Sequence, residues 1–288
     1  MIESFGDRLF NKLNYVVLGL VAIATFFPIY YVLVVSLTDS TEYLTKDFVL
    51  FPESFSFTAY QYLLSTTAFV RSLGNSVFLT VVGTACSLVI TASLAYALSR
   101  KRMRGRRVIL LMILFTILFS PGIIPNYLLV RELGLMNSIW SLIFPALASG
   151  WNVILMKGFF DSLPAELEES AAIDGCNDLM IWLRIILPLS LPSIAAFGLF
   201  YAVGYWNQFF NALLYLNDSA KWPIQVLLQN LLISSSNSEL TSSSYVETPP
   251  TEMLKMAAVV ISTLPILCVY PFLQKYFAKG AMVGSIKG

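Results

Sequence analysis

Six long apolar stretches divide this sequence, and they constrain its fold more than any other feature. They cover roughly residues 14–36, 73–99, 108–130, 138–158, 184–210 and 254–277. A helix needs about 20 mostly apolar residues to cross a bilayer, and each stretch reaches that length. Of the 288 residues, 57% are hydrophobic and only 12% are charged, whereas soluble domains carry about 25% charged residues. The sequence therefore predicts an all-α polytopic membrane protein, with one transmembrane domain over residues 1–288 and six spanning helices.

The same composition excludes several classes of function. The chain has no histidine, which is the commonest metal ligand and the usual general base. Its three cysteines lie far apart and fit no metal or disulfide spacing, so we expect no metal site. The net charge of only +1 argues against nucleic acid as a partner. No phosphate-binding loop of the form G-x-x-x-x-G-K-[ST] occurs, so we expect no bound cofactor, no enzymatic activity and an energy source on another subunit.

The distribution of lysine and arginine predicts the orientation in the membrane. Cytoplasmic segments carry an excess of these residues, and 13 of the 18 fall on one side of the predicted spans. We therefore expect both termini and the loops 100–107 and 159–183 in the cytoplasm, with the loops 37–72 and 212–253 outside. The basic run RKRMRGRR at 100–107 is either this topology signal or a site for anionic lipid. The serine-rich segment 234–244 is typical of a flexible linker.

The cytoplasmic loop 159–183 contains DSLPAELEESAAIDG, which has the signals of a short helix at both ends. Ser162 is a candidate N-cap, Pro164 suits a first turn, and Gly175 suits the left-handed residue after a helix. So short a helix is marginal alone in water. Leu167, Ala171 and Ala172 share one side, which we expect to lie in a groove of a soluble partner. A membrane-surface helix is the alternative, but its acids would face a negative leaflet.

The segment from Glu169 to Pro188 resembles the signature of permease subunits of bacterial ABC importers. That signature is E-A-A, three residues, G, nine residues, I, any residue, L-P, and only Ser170 departs from it. The resemblance implies the type I importer permease fold, with this loop as a coupling helix that docks in a cleft of the ATPase subunit. The residues expected to dock are Glu168, Glu169, Ser170, Ala171, Ala172, Asp174 and Gly175.

Three further passages are similar to the second permease of maltose-type carbohydrate importers. Among these permeases, the likeness is greatest to those associated with larger oligosaccharides from plant or algal polysaccharides. The three passages are FSPGIIPNYLLVRELGLMNSIWSLIFP (119–145), YWNQFFNALLYL (205–216) and YPFLQKYFAKGAMVGSIKG (270–288). The resemblance implies a bacterial plasma-membrane importer of oligosaccharides, uronate-containing ones among them. The implied partners are a homologous permease, two copies of an ATPase that binds ATP and Mg, and an extracytoplasmic solute-binding protein. The alternatives are an ABC importer of a non-sugar solute and an ion-coupled secondary carrier.

Polar residues at the outer end of the fifth predicted span suggest a substrate path. Gly204, Asn207, Gln208 and Asn211 follow the spacing of one helix face, and amides with aromatic rings are suited to sugars. The candidate path residues are Asn207, Gln208, Asn211, Trp206, Tyr205 and Asn152. The alternative is that these amides form hydrogen bonds between packed helices.

Proline and glycine predict two irregular segments. The cluster FSPGIIP at 119–125 predicts a break in the third span, of the kind that survives in a membrane where it lines a cavity. After Phe277, three glycines in AKGAMVGSIKG disfavour an autonomous helix, and a disordered stub is one interpretation of this tail. This tail resembles the family ending that reaches between the two ATPase subunits.

Overall fold

Helices make up most of this computed structural model, which describes residues 5–234 and 249–284. They are α1 Phe5–Ser36, α2 Ser40–Thr45, α3 Thr58–Ser65, α4 Thr67–Ser99, α5 Arg106–Leu118, α6 Ile123–Glu132, α7 Trp140–Ile143, α8 Gly150–Asp161, α9 Glu166–Ile173, α10 Asp178–Ile181, α11 Leu187–Leu189, α12 Leu191–Trp206, α13 Phe210–Tyr215, α14 Ile224–Ser234 and α15 Thr251–Gly284. Within these residues there is no β-strand, only an isolated bridge between Thr38 and Phe55. The prediction of an all-α protein is confirmed.

The chain divides into two compact units. The first comprises Met1–Val70 and Leu228–Leu264, and the second comprises Arg71–Leu227 and Pro265–Gly288. Each unit combines segments that are distant in sequence, so neither is a continuous stretch of chain. The organisation as one domain over residues 1–288 stays a prediction.

Three described helices are long and apolar enough to cross a bilayer on their own. They are Phe10–Ser36 within α1, the whole of α4, and Thr251–Val269 within α15. Three pairs of helices meet the same test only together, with bends of 119° between α5 and α6, 50° before α8 and 80° before α12. If each bent pair is one span, the described residues contain six. The exact boundaries of the six spans in the bilayer stay predictions.

The largest bend confirms the break predicted at FSPGIIP. Gly122 has φ +83°, a backbone conformation that glycine adopts without a Cβ clash. Pro121 precedes it and has no N–H with which to continue the hydrogen bonding of α5. Residues 119–125 are all exposed, and whether they line a cavity stays a prediction.

The last helix is longer than the sequence predicts. α15 continues past Phe277, the expected end of the sixth span, to Gly284. Helical hydrogen bonding thus continues through Gly280, although glycine costs about 1 kcal/mol relative to alanine inside a helix. Residues 285–288 lie outside the described residues, as does the serine-rich segment after Ser234.

In the first unit, one buried carboxylate organises the loop that follows α1. The Glu42 side chain is only 6% exposed and forms an ion pair with Lys46 at 3.0 Å. Its two oxygens accept hydrogen bonds from the backbone N–H groups of Glu53 and Ser54, at 3.0 to 3.1 Å. One side chain therefore joins α2 to residues 53–54, which lie outside any helix. By contrast, every described side chain from Phe10 to Ile29 of α1 is exposed.

The second unit contains two hydrophobic clusters, and α4 contributes to both. One cluster includes Ala92, Ala95 and Leu98 of α4 and packs them with residues of α8 to α12. The other includes Leu79 of α4, with residues of α6, α7, α12, α13 and α14. Both candidate sites belong to this unit, so α4 contacts the helices that carry them.

Candidate coupling helix and substrate path

Helix α9 is the short helix that the sequence predicts in the cytoplasmic loop, but it begins differently. It starts at Glu166 with three glutamates in its first turn, where acidic side chains favour the positive end of the helix dipole. Ala165 precedes it and provides no side-chain cap. The prediction of Ser162 as N-cap is wrong, because the Ser162 hydroxyl donates to the carbonyl of Phe159 at the end of α8.

The end of α9 is the one that the sequence predicts. Gly175 has φ +84°, a left-handed conformation that is strained for residues with a Cβ. Its N–H donates to the carbonyl of Ala172 at 3.1 Å, and the N–H of Cys176 donates to that of Ala171 at 3.0 Å. These two bonds form a Schellman motif. The left-handed glycine is confirmed, and it turns the chain sharply toward α10.

The side of α9 that faces the protein carries Glu168 and Ala171. Ala171 belongs to the cluster with Ala92 and Ala95, and the Glu168 carboxylate pairs with Arg100. The prediction that Leu167, Ala171 and Ala172 form the side available to a partner is therefore wrong for Ala171. Glu168, which was also expected to dock, instead faces Arg100 on the inner side. Sequence spacing could not show which side the rest of the chain would cover.

The opposite side of α9 is open. Exposed there are Glu166, Glu169, Ser170 and, with 86% of its surface accessible, Ile173. These residues recur at i, i+3, i+4 and i+7, which is one helix face. Ile173 was missed by the sequence analysis, and this spacing was the available signal. Of the other predicted docking residues, Ala172, Asp174 and Gly175 are exposed as well.

A cavity of about 690 Å³ lies between α9 and the basic loop that follows α4. Its basic lining includes Arg100, Lys101, Arg102 and Arg106, while α9 contributes Glu168, Glu169 and Ala172. Opposite charges thus meet across this cavity, and the basic loop at 100–107 lies close to α9.

The predicted substrate-path stripe does not lie on one continuous helix. α12 ends at Trp206, residues 207–209 are not helical, and α13 begins at Phe210. The Asn207 side chain donates to the carbonyl of Val203 at 3.0 Å, so it binds the last turn of its own helix. Asn207 and Asn211 are exposed and Gln208 is half-buried. The one-helix spacing was wrong, but the three amides remain close to one chain break.

The aromatic candidates are packed inside the second unit. Tyr205 is buried, and its hydroxyl lies 2.9 Å from that of Ser87 on α4. Trp206 and Asn152 are buried too. Similarly, the hydroxyl of Tyr201 lies 2.7 Å from that of Thr91. In this arrangement Tyr205 contributes to packing between α4 and α12, and only the amides at 207, 208 and 211 reach the surface.

Comparison with known proteins places this architecture in a family. Residues 90–283 match the family described as binding-protein-dependent transport system inner membrane component. The polygalacturonan/rhamnogalacturonan transport system permease protein YtcP of Bacillus subtilis (strain 168) is 49% identical, over 98% of this chain and 99% of that protein. Protein LplC of the same organism is 48% identical, over 100% and 98%.

A solved structure agrees with these matches. It is the crystal structure of a bacterial ABC transporter involved in the import of the acidic polysaccharide alginate. One of its chains superimposes with a TM-score of 0.88 at 34% sequence identity, over 96% of this chain and 99% of that one. The fold is therefore that of an ABC importer permease. The chain belongs to the family of inner-membrane components of binding-protein-dependent transport systems.

Proposed function

We propose that this chain is a permease subunit of an ATP-driven importer that carries oligosaccharides across a bacterial plasma membrane. The observation that carries the proposal is the division of α9 into two sides. One side is held by the second unit, while the other presents Glu169, Ser170 and the exposed Ile173 at a sharp, glycine-terminated turn. An exposed isoleucine flanked by acids suits a groove in a soluble protein.

The proposed partner at α9 is a cytoplasmic ATPase, present in two copies that bind ATP and Mg. Both termini and α9 then lie in the cytoplasm, in agreement with the excess of basic residues on that side. A homologous permease would cover apolar surface that this chain leaves open, since α5 has no buried residue at all. The family name supports an extracytoplasmic binding protein as the donor of substrate.

The relatives support an acidic oligosaccharide as the substrate class. YtcP is a permease protein of a polygalacturonan/rhamnogalacturonan transport system, and the structural neighbour is involved in the import of the acidic polysaccharide alginate. Amide groups such as those of Asn207, Gln208 and Asn211 donate hydrogen bonds to hydroxyl and carboxylate oxygens alike. They therefore suit a uronate sugar at the break between α12 and α13 without a buried charge.

The docking proposal is tested with Ile173→Asp. The added carboxylate would have to be desolvated in an apolar groove, so we expect loss of the co-purifying ATPase while the permease accumulates normally. Leu44→Asp is the matched control, because Leu44 is also exposed on a short helix but lies in the loop expected outside. Normal ATPase recovery with Ile173→Asp would contradict docking at α9. Ala171→Asp is unsuitable, since it would place a charge in the protein's own core.

The substrate proposal is tested by ATP-dependent uptake into proteoliposomes that contain the assembled importer and its binding protein. We expect uptake of galacturonate oligosaccharides and none of neutral maltooligosaccharides of equal length. Asn207→Leu with Gln208→Leu should lower uptake at limiting substrate without loss of assembly. Preference for the neutral sugars would contradict the substrate class, and unchanged uptake by the double variant would assign the amides to packing.

A further inference from the structure

Arg100, the first residue after α4, has three separate contacts that fix its guanidinium group. It pairs with the Glu168 carboxylate on the inner side of α9. Its Nε donates to the Ser99 hydroxyl at 2.9 Å, and its guanidinium carbon lies 4.7 Å from the centre of the Tyr96 ring. A planar guanidinium satisfies a carboxylate, a hydroxyl and an aromatic face together, which a lysine ammonium does not.

This ion pair differs from its neighbour in the same loop. The side chains of Arg100 and Glu168 are 19% and 16% exposed, whereas those of the Arg102–Asp178 pair are 63% and 68% exposed. Exposed pairs contribute little because water and salt screen them. Loss of one partner from a partly buried pair leaves the other charge without compensation. Arg100–Glu168 is thus the stronger connection between α4 and the loop that contains α9.

From α4 the contacts continue to α12. Within α4, the hydroxyls of Thr91 and Ser87 lie 2.7 and 2.9 Å from those of Tyr201 and Tyr205, respectively. α12 then ends at Trp206, beside the exposed amides. A single helix, α4, therefore contacts α9 near one end and the helix of the candidate path along its length.

We propose that the Arg100–Glu168 pair is the positioning link that transfers displacement of α9 to α4, and through α4 to α12. This inference rests on the proposed function, since α9 moves only if an ATPase is docked on its open side. The burial of Ala171 in the cluster that includes Ala92 and Ala95 keeps α9 on the protein, but non-directional apolar packing tolerates sliding. The charged pair fixes the register of α9 along α4.

The test uses the complete importer in proteoliposomes with its ATPase, partner permease and binding protein. The variants are Arg100→Gln, Glu168→Gln, the double variant, and Arg102→Gln as the matched control. We expect normal ATPase recovery and unchanged basal ATP hydrolysis in all four. Stimulation of hydrolysis by the loaded binding protein should fall roughly tenfold in each Arg100 or Glu168 variant, the size typical of coupling between sites. Arg102→Gln should keep the stimulation of the parent.

The double variant distinguishes a shared link from two independent effects. If the two side chains act through each other, the double variant loses no more stimulation than the worse single variant. Full stimulation in the single variants, or losses that multiply in the double variant, would overturn the proposal. A parallel fall of basal hydrolysis and ATPase recovery would also overturn it, because a general structural defect lowers all three.

Hydrogen exchange separates this inference from the proposed function. Arg100→Gln should speed amide exchange at residues 168–176 of the purified importer, and Arg102→Gln should not. If the glutamine variants do not accumulate, Arg100→Lys replaces them, because lysine keeps the charge but loses the guanidinium contacts. Amide exchange at residues 168–176 of Arg100→Lys that equals that of the parent would overturn the link. An unmodified importer that neither hydrolyses ATP nor takes up sugar refutes the proposed function. Normal transport with unaltered exchange and stimulation in the variants refutes the link alone.

Discussion

Helices α4 and α5 follow each other in the chain and both belong to predicted spans, yet their surroundings differ. α4 buries polar and apolar residues along its length, among them Ser76, Leu79, Ser87 and Thr91. α5 buries none of its 13 residues. The difference does not lie in overall apolar character, since both helices are strongly apolar. α4 finds partners along its length within the second unit. α5 packs only in part against the cluster that includes Ala92, through Ile109, Leu110 and Ile113, and leaves the rest of its surface for lipid or for another subunit.

The hydroxyl groups of α4 explain why it can be central. Inside a membrane, apolar helices gain little from mutual burial, because lipid is as apolar as leucine. Small residues and interhelical hydrogen bonds therefore decide which helices associate. α4 offers both, with Ser87 and Thr91 opposite two tyrosines and Gly83 directly below the ring of Tyr205. The only hydroxyl of α5 is that of Thr116, and it donates to the carbonyl of Ile113 in its own helix.

The largest expected contrast is between leucines of the two helices. Leu79 of α4 is fully buried, while Leu118 of α5 is 74% exposed. Leu79→Ala should destabilise the protein by about 3 kcal/mol, the usual cost of a cavity left by leucine, and Leu118→Ala should leave its stability unchanged. Thermal unfolding of the permease in detergent measures both. Equal losses would mean that Leu118, too, is packed against the rest of this chain.

A second contrast compares two glycines of α4. A Cβ at Gly83 would lie 2.8 Å from atoms of the Tyr205 ring, whereas nothing lies within 4 Å of one at Gly74. Gly83→Ala should cost about 1–2 kcal/mol, because the ring is buried and hydrogen-bonded and must shift. Gly74→Ala should be neutral or slightly stabilising, since alanine favours helix. If Gly83→Ala and Gly74→Ala unfold at the same temperature, close packing at Gly83 is not the basis of the contact between α4 and α12.

The smallest contrast concerns one hydroxyl. Tyr205→Phe removes the bond to Ser87 and should cost about 1 kcal/mol, whereas Tyr15→Phe on the exposed α1 should have no effect. Unfolding and uptake are measured on the same preparations. A loss of stability with normal uptake assigns Tyr205 to packing. Normal stability with reduced uptake would return it to the substrate path, where the sequence analysis placed it.

Features of the fold that depend on local chemistry were predictable from sequence. Gly175 could be assigned its left-handed conformation because glycine after a short polar helix is the usual residue there. The break near Gly122 was predictable for a similar reason, since two prolines flank a glycine within five residues.

Features that depend on distant contacts were not predictable. Nothing in the spacing of α9 distinguishes the covered Ala171 from the exposed Ile173, because α4 and α8 to α12 decide which side is covered. The end of α12 at Trp206 has no proline or glycine at the break, and the Asn207 side chain instead binds the preceding turn. Ser162 has the composition of an N-cap but is used at the end of α8.

The buried Glu42 has a consequence for tolerance to acid. Hydrogen bonds from the N–H groups of Glu53 and Ser54, together with Lys46, lower the pKa of Glu42 to about 2. A carboxylate with a lowered pKa stabilises the fold above its unfolded value near 4.5, and that contribution disappears as pH falls toward 2. The loop after α1 should therefore keep its structure in moderately acidic surroundings. Limited proteolysis from pH 7 to 3 checks this, with Glu42→Gln cleaved readily at every pH.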